Sequence, residues 1–311
     1  MDPLSDILNS LHIRHAMFTR LDATAPWSFD SQGEPFLKFV LLVRGTAILQ
    51  TPSFDAPVML HGGDVFIMLQ DQPYRIYDHE DSAATDCVDI DKLRIGNRID
   101  VGGGGSLTSF ISGFFALDPL SARPLLQVLP PVLHLKLDKD RSLAFQSVME
   151  LLAVETEAPG LGTEVAVSRL FELLFVHAIR AYSAQPYGPT SGWLAANADR
   201  RLARALEAMH GDPARDWTVE ALAQAAGMSR SSFAARFRDV VGQTPLDYLT
   251  QWRMHRAARL LRHSSLALSE VSRQVGYESV AAFNRAFQRA TAMPPGAFRK
   301  TAEEADARGL P

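Results

Sequence analysis

The sequence predicts an α+β chain of two domains. The N-terminal one is a β-barrel or jelly roll with trailing helices, and the C-terminal one is all-α, two helix-turn-helix motifs joined by a long helix. Three observations carry this. Residues 36–90 hold short apolar runs broken by glycine and proline. From residue 139 the apolar spacing turns helical. The stretch Trp217 to Arg299 then carries one pattern twice. In the first copy Val219, Leu222, Ala226 and Gly227 are followed by Phe233 and Phe237, and in the second Leu268, Val271, Val275 and Gly276 are followed by Phe283 and Phe287. The offset is 49 residues up to the glycine and 50 from the phenylalanines on, so the second copy has one extra turn residue. Pro245 and Tyr248 reappear as Pro295 and Phe298.

The 311 residues suffice for two domains of ordinary size, and 47% hydrophobic with 21% charged residues is the balance of a soluble globular protein. Met1 to Thr19 carries Asp2, Asp6, His12 and Arg14 and no long apolar core, so it does not read as a signal peptide. No stretch approaches the roughly 18 apolar residues of a membrane span, so no membrane partner is expected. Cys87 is the single cysteine, which excludes an internal disulfide. A bacterial-type cytoplasmic protein is the expectation. The net charge of −4, taken whole, argues against nucleic acid, but its distribution reverses that. Residues 199–300 hold 16 Arg and Lys against 9 Asp and Glu, a net +7, and the remainder holds 15 against 26, a net −11. A basic module on an acidic body is the footprint of a nucleic-acid-binding domain joined to a regulatory one.

In chain order, a short helix over Pro3–Leu11 comes first, then a strand. Phe39–Val43, Ala47–Gln50, Val58–Leu60 and Val65–Leu69 read as strands, with turns at Arg44-Gly45 and His61-Gly62-Gly63-Asp64 and breaks at Pro52 and Pro57. Strands at this spacing fit a sandwich or barrel of the jelly-roll kind. Leu107–Phe115 is a further strand. Leu143, Val148, Leu151, Leu152 and Val154 then line one helix, and Ala158 to Gly162 break it. Val165, Val167, Leu170, Phe171, Leu173, Leu174, Val176 and Ile179 make a second helix, apolar nearly all round, which must be buried on the barrel or against a partner subunit. Gln185 to Gly192, rich in proline and glycine, opens an interdomain linker, and residues 301–311 form a polar tail.

Each copy of the repeat carries the physics of a helix-turn-helix. Val219, Leu222, Ala223 and Ala226 stand at i, i+3, i+4 and i+7, one apolar helical face. Thr218 is placed to cap that helix, with Ala221 where a full capping box has glutamate. Gly227 stands where the helix must stop, because glycine takes the left-handed conformation cheaply. Ser229 caps a second helix whose Phe233 and Phe237 pack back on the first. The second copy runs from Leu268 to Val275, turns at Gly276 to Glu278, is capped at Ser279 and continues to about Ala290. Two short helices around a glycine turn form the motif that sets its second helix into a DNA major groove. The connector between the copies runs from Pro245 to His263. It carries apolar Leu246, Leu249, Met254, Ala257, Ala258, Leu260 and Leu261 and charged Arg253, Arg256, Arg259 and Arg262. Nineteen residues of helix span about 28 Å. That is of the order of the roughly 34 Å between successive major-groove entries on one face of B-DNA.

On these motifs residues 200–300 resemble the DNA-binding domain of the AraC/XylS family of bacterial transcription regulators. The resemblance is carried by Ala223-Gln224-Ala225-Ala226-Gly227-Met228-Ser229 with Phe233 and Phe237, by Trp252-Arg253-Met254 through Ala257-Ala258-Arg259-Leu260-Leu261, and by Val275-Gly276-Tyr277-Glu278-Ser279 with Phe283, Arg285 and Phe287. Pro294-Pro295 and Phe298-Arg299 close it. One departure is Ala292, where the family usually has glycine before the terminal turn. The N-terminal region resembles, on fewer motifs, the cupin-like sensor domains attached to many AraC-type regulators. These motifs are Pro26-Trp27, Gly62-Gly63-Asp64-Val65, Gly102-Gly103-Gly104 before a strand, and Leu129-Pro130-Pro131. The resemblance implies a cupin-like regulatory and dimerisation domain over 1–184, a linker over 185–198, a double helix-turn-helix domain over 199–300 and a tail over 301–311. It implies promoter or operator double-stranded DNA as partner and a small-molecule effector acting through the N-terminal domain. It further implies a homodimer, since helices like those at 139–183 often pair subunits in related regulators, and RNA polymerase where such a regulator activates.

No catalytic, cofactor or metal set emerges. Metal-binding cupins place histidines and a carboxylate on facing strands. Here His61, His79, His134 and His177 are scattered, no His-x-His occurs, and Tyr74 stands where related domains often carry histidine. His12 and His15 read as surface residues near a terminus. Gly102 to Gly105 lacks the Lys-Ser/Thr of a phosphate loop and opens no helix, so it reads as a flexible hairpin or loop at a barrel end. Cys87, beside Asp86 and Asp89 in an acidic loop, has no sequence-adjacent cation to lower its pKa. Two other classes of function stay open. A cupin-type metal enzyme with an appended DNA module is disfavoured by the missing ligands. A DNA-repair protein using the same helical domain needs nucleophilic cysteines and finds only Cys87.

The expected mechanism is direct readout by two helices. With Phe233 and Phe237 inward, Ser231, Ala234, Ala235 and Arg238 point outward, and the resemblance places Ser231, Ala234 and Ala235 at base-facing positions. The alanines offer apolar contact, for example to a thymine methyl. Arg238 lies further along, toward phosphate, and Arg230 at the helix start reaches either. On the second helix Ala281, Asn284, Arg285 and Gln288 face outward. Arg285 suits bidentate contact to guanine and Asn284 to adenine. Ser229 and Ser279, at helix N-termini, suit phosphate anchoring.

Overall fold

The computed structural model describes residues 3–10, 13–33, 36–69, 72–117, 119–136, 143–185 and 189–307. Leu11, His12, the start of the stretch read as helical from 139, Pro186 to Gly188 in the expected linker and the last four residues of the expected tail lie outside them. The chain forms two compact units. One takes residues 13–117 and 129–185. The other takes the chain before residue 13, residues 118–128 and everything from 186. Helix α1 (Pro3–Ser10) opens the chain and belongs to the second unit.

The first unit is a double β-sheet. Its strands are β1 (Ile13–Thr24), β2 (Ser28–Ser31), β3 (Leu37–Arg44), β4 (Thr46–Gln50), β5 (Val58–His61), β6 (Val65–Met68), β7 (Tyr74–Tyr77), β8 (Thr85–Asp86), β9 (Arg98–Gly102), β10 (Leu107–Leu117) and β11 (Val132–Leu135). One sheet has the order β11-β6-β3-β10-β1-β9 and the other β5-β4-β7-β2-β8. The strand runs expected between Phe39 and Leu69 are β3 to β6, and the turns stand where glycine was read. Gly45 (φ 92°) takes the chain from one sheet to the other. At the next crossing Asp64 N–H donates to His61 C=O at 2.9 Å, and Asp64 Oδ2 accepts from His61 N–H at 3.0 Å.

Strand β3 is buried from Leu37 to Leu42, and apart from Lys38 that stretch is apolar, as suits a strand covered on both faces. Val40 and Leu42 enter the inter-sheet core with Trp27, Phe29, Leu49 and Phe110. Phe39, on the opposite pleat, meets the rings of Phe171 and Phe175 at 5.8 Å each. Those two rings belong to α5 (Thr163–Ser183), which follows α4 (Leu143–Glu157). Gly113 on β10 lets Phe171 lie against the sheet, since a Cβ there would stand 2.7 Å from its ring.

Three expectations in this unit change. The Gly102–Gly105 segment is no hairpin, because β9 and β10 flank β1 on opposite sides and the loop crosses its end. Gly103 and Gly105 N–H donate to Thr24 and Ala25 C=O at 2.9 Å each, and a Cβ on Gly102 would overlap Thr24 C=O at 1.9 Å. Gly102, Gly103 and Gly105 make room for the close approach of residues 24–26, and Gly104 takes a φ of 86°. Cys87 starts a short helix, α2 (Cys87–Asp91), capped by Asp86, instead of lying in a loop, and its Sγ is 3.8 Å from Tyr74 Oη. Tyr74 in turn accepts from the buried Lys38 Nζ at 2.6 Å, and burial pushes the phenol up to about 12. The apolar helices are only partly covered. Phe171, Leu174 and Ile179 are buried, but Leu151, Val154, Val165 and Leu173 are 46–67% exposed.

The second unit is all-helical. After α1 it holds α3 (Pro119–Leu126), which lies in sequence between β10 and β11. It continues with α6 (Gly192–Ala198), α7 (Arg200–Gly211), α8 (Val219–Ala226), α9 (Arg230–Val241), α10 (Pro245–His263), α11 (Leu268–Gln274), α12 (Val280–Thr291) and α13 (Pro295–Ala307). The stretch read as linker therefore contains α6, whose buried Trp193 donates Nε1–H to Pro124 C=O of α3 at 2.8 Å. The stretch read as tail continues α13. The connector α10 has the ends read from sequence, Thr244 capping it by accepting from Asp247 N–H at 3.2 Å.

The internal repeat is visible in the packing. Phe233, Phe237 and Tyr248 stack in sequence at 5.6 and 5.8 Å, and their counterparts Phe283, Phe287 and Phe298 at 5.7 and 5.4 Å. Gly242 ends α9 at φ 82°, and Ala292 ends α12 at φ 61°, the one non-glycine with positive φ among the described residues. A side chain there costs about 1–2 kcal/mol. Gly276 (φ 80°) is tighter than Gly227 (φ 66°). A Cβ on Gly276 would meet Ala214 C=O at 2.7 Å, whereas Gly227 has nothing nearer than 4.0 Å.

Beneath α10 sits a buried polar cluster. His210 of α7 stacks on Trp252 at 4.0 Å, shares a 2.8 Å hydrogen bond with Tyr248 Oη and lies 3.7 Å from the carboxylate of Asp6 of α1. Burial alone would raise the Asp6 carboxyl. The hydrogen bond and charge of His210, with Arg259 and Arg256 behind, outweigh that and hold it below the ordinary value.

Two outcomes are expected. Gly276→Ala lowers stability by about 3 kcal/mol through the combined φ and overpacking costs, Gly227→Ala by only about 1–2, and Ala292→Gly raises it by about 1. Urea denaturation ranks them, and equal losses at the two glycines would refute the close approach to Ala214. Asp6→Asn destabilises at pH 7. A carboxyl with a lowered folded-state pKa contributes stability above its ordinary 3.8 and loses it as pH falls through the folded value, so the gap to wild type narrows below that pH. A gap that stays constant with pH would assign the loss to packing.

Candidate nucleic-acid interface

The two halves of the interface are built by the same local rules. In the first, Thr218 Oγ1 accepts from Ala221 N–H at 3.1 Å and starts α8, and Gly227 stops it in the left-handed region. Ser229 starts α9 by accepting from Ser232 N–H at 3.3 Å, and its hydroxyl donates to Ser232 Oγ at 2.9 Å. With Phe233 and Phe237 fully buried, Ser231, Ala235 and Arg238 are exposed and Ala234 is half-buried. These four are spaced i, i+3, i+4 and i+7, one continuous face. Arg236 leaves that face to pair with Asp199, the cap of α7, at 3.2 Å. Exposed Arg230 pairs with exposed Glu220 at 2.7 Å, a solvated pair that breaks at little cost.

In the second half α11 has no side-chain cap, and its turn is held by Ser272 Oγ donating to Tyr277 C=O at 3.0 Å. Ser279 caps α12 by accepting from Ala282 N–H at 3.4 Å. Buried Phe283, Ala286 and Phe287 fix the roll of α12, so Ala281, Arg285 and Gln288 are exposed on its far face. Asn284 shares that face but is half-buried, its Oδ1 enclosed without a hydrogen-bond partner.

Some cations of this unit have structural work. Arg253 of α10 donates Nε–H to Pro213 C=O at 2.7 Å and Nη2–H to Arg215 C=O at 2.8 Å, tying the connector to the loop before α8. Arg299 donates to Leu266 C=O at 2.6 Å, and Arg262 lies over Phe298 at 5.5 Å. The sequence reading did not place α1 or α3 in this unit. Arg123 of α3 donates to Ala290 C=O, near the end of α12, at 3.3 Å. No periodicity signals such a contact, since α3 lies in sequence between barrel strands.

The barrel histidines stand apart from one another in role. His134 pairs with Asp64 at 3.4 Å and His79 with Asp81 at 3.6 Å. Among the described residues no three His, Cys, Asp or Glu gather as a metal set, and no helix is long and apolar enough to cross a membrane.

Residues 2–184 match the family model described as cupin, and residues 222–301 the one described as helix-turn-helix domain. A Streptomyces lividans protein described as an AraC-like transcription regulator is 34% identical over 300 residues, 96% of this chain and 98% of that one. The transcriptional regulator AlkR of Acinetobacter baylyi is 29% identical over 306 residues, 96% of this chain and 99% of that one. Among solved structures the DNA-binding domain of AdpA, determined with a target DNA, is 33% identical over 34% of this chain and 93% of that one, with a TM-score of 0.32. With a cupin-type β unit, two glycine-turned helix pairs on one connector and a relative matched along nearly its whole length, the chain belongs to the AraC-type DNA-binding transcription regulators.

Proposed function

We propose that this regulator reads double-stranded promoter or operator DNA with the outward faces of α9 and α12, one in each of two successive major-groove segments. The observation that supports it most is the repeated build: two second helices, each rolled by a buried phenylalanine pair and each presenting one polar face, on a single 19-residue connector. Ser231, Ala234 and Ala235 face bases, with apolar contact from the alanines. Arg238 and Arg230 neutralise phosphate, and Ser229 and Ser279 steer it to the helix N-termini. The Ser229 hydroxyl is engaged by Ser232, so there the backbone N–H groups bear the load. Arg285 takes guanine and Gln288 and Ala281 flank it. Asn284 reads adenine only by turning its enclosed Oδ1 outward, which leaves Arg285 the main base contact of the second helix.

The finer reading is a cytoplasmic regulator whose N-terminal unit takes a small-molecule effector, pairs two copies and, in an activator, acts with RNA polymerase. A cavity of about 410 Å³ at one end of the barrel, edged by Asp30, Gln50, Phe54, Tyr74 and Arg75, supports the effector. The exposed apolar residues of α4 and α5 support pairing.

Arg285→Ala is expected to weaken operator binding by about 1–3 kcal/mol, roughly ten- to a hundredfold, and to relax preference at one base pair. Arg238→Ala is expected to weaken all sequences alike and to lower the salt slope by about one. Fluorescence anisotropy with operator and scrambled duplexes separates the two, and near wild-type affinity of Arg285→Ala at physiological salt would remove it from the interface. Val154→Glu with Val165→Glu is expected to give folded monomers in sedimentation velocity, and a wild-type protein that is already monomeric at micromolar concentration would refute the pairing face.

A further inference from the structure

The helical unit contains a cavity that reading DNA does not require. Its volume is about 420 Å³, within the range of small-molecule sites. The walls come from α3, α6 and α10 and from the C-terminal ends of both DNA-reading helices. Trp193, Trp252, Met254 and Val128 supply an aromatic and aliphatic wall. Arg123 and Arg289, both exposed, supply charge, and among the described residues no Asp or Glu lines the cavity. The carbonyl ends of α9 and α12 oppose the arginines, but each carries only about half a negative charge against two full positive ones. Arg123 spends one donor on Ala290 C=O, and a guanidinium has five.

From this geometry we infer that the cavity is a binding site for a small apolar organic anion, an aromatic or aliphatic carboxylate or sulfonate, and that occupancy sets DNA affinity. The site is distinct from the barrel cavity, and its regulatory half rests on α9 and α12 being the DNA-reading helices. The apolar body lies between the two tryptophans and the anionic head meets Arg123 and Arg289. Such a molecule touches Val241 to Gln243 after α9, Ala290 and Thr291 at the end of α12, and the face of α10 between them. It therefore bears on the two reading helices and on the rod that spaces them. Ala292, held at positive φ one residue beyond Thr291, makes that end the strained one of the pair. Arg123 completes the coupling, because the side chain that meets the ligand head also holds α12 through Ala290.

The test uses the full chain and 1-anilinonaphthalene-8-sulfonate, an aromatic monoanion whose fluorescence is excited by energy transfer from Trp193 and Trp252. Saturable binding is expected, weakened about tenfold or more by Arg123→Ala, which removes charge, and by Ala258→Phe, which fills the cavity. Circular dichroism checks that both variants are folded. Ala56→Trp, which fills the barrel cavity, is expected to leave probe binding unchanged. Saturating probe is expected to change operator affinity at least about fivefold in wild type and not in Ala258→Phe. Wild-type probe affinity in both folded cavity variants, or loss of binding only in Ala56→Trp, would overturn the site. Site-dependent probe binding with an unchanged operator affinity would overturn its regulatory half. A protein that binds the probe here yet shows no preference for any duplex would uphold the site while removing the DNA reading on which that half rests.

Discussion

The helical unit depends on one guanidinium. Arg253 stands midway along α10 and gives two hydrogen bonds to the carbonyls of Pro213 and Arg215, in the loop that leads into the first motif. On the other side of that loop Ala214 presses against Gly276, the turn of the second motif, and Tyr277 lies 5.8 Å from the same guanidinium. One side chain thus joins the connector, the entry to the first helix pair and the turn of the second. Each charge-assisted bond to a carbonyl contributes about 1.5–3 kcal/mol net of desolvation. Burial draws the Arg253 pKa down, but a guanidinium stays charged throughout the physiological range, so the tie does not titrate. A lysine would supply the charge without the forked geometry that reaches two carbonyls at once.

This tie explains why the two motifs are alike inside and unlike at their edges. Inside, the repeat is kept to the ångström in the ring spacings, because each copy must roll its second helix by the same buried phenylalanine pair. At the edges the copies have different neighbours. The first turn, at Gly227, is open, while the second is packed against a carbonyl and accepts only glycine. The first reading helix ends in a relaxed Gly242 and the second in a strained Ala292.

Much of this was legible in the sequence wherever a local rule decides structure. Caps at Thr218, Ser229 and Ser279 and the stop at Gly227 depend on residues a few positions away, and the helices begin and end at them. The face carrying Ser231, Ala235 and Arg238 follows from helical period once Phe233 and Phe237 are inside. What was not legible depends on partners remote in sequence. Gly102 to Gly105 read as a flexible loop because nothing local shows that β9 and β10 flank β1. Cys87 read as lacking a cation beside it in sequence, and its contact with Tyr74, to which Lys38 donates, forms only through the sheets. Asn284 read as free because half-burial of its amide depends on the roll of α12. Val165 read as buried on the barrel or against a partner subunit, and stands exposed, because period reports an apolar face and not what covers it.

The assignment of α3 to the helical unit follows from the same distinction and carries a consequence for control. It lies in sequence between β10 and β11, while its contacts Arg123 to Ala290 and Pro124 to Trp193 are with α12 and α6. A signal passes along it only if some molecule binds one arrangement better than another, since a ligand moves an equilibrium by no more than its difference in affinity. The barrel cavity is lined by β2, β4, β7 and the loops beside them, none of which adjoins α3 in sequence. The helical cavity is walled by α3 itself. A ligand in the helical cavity touches α3 directly and, at the same time, the C-terminal ends of α9 and α12, the two helices proposed to read DNA. The control proposed for the helical cavity therefore needs no step outside the helical unit.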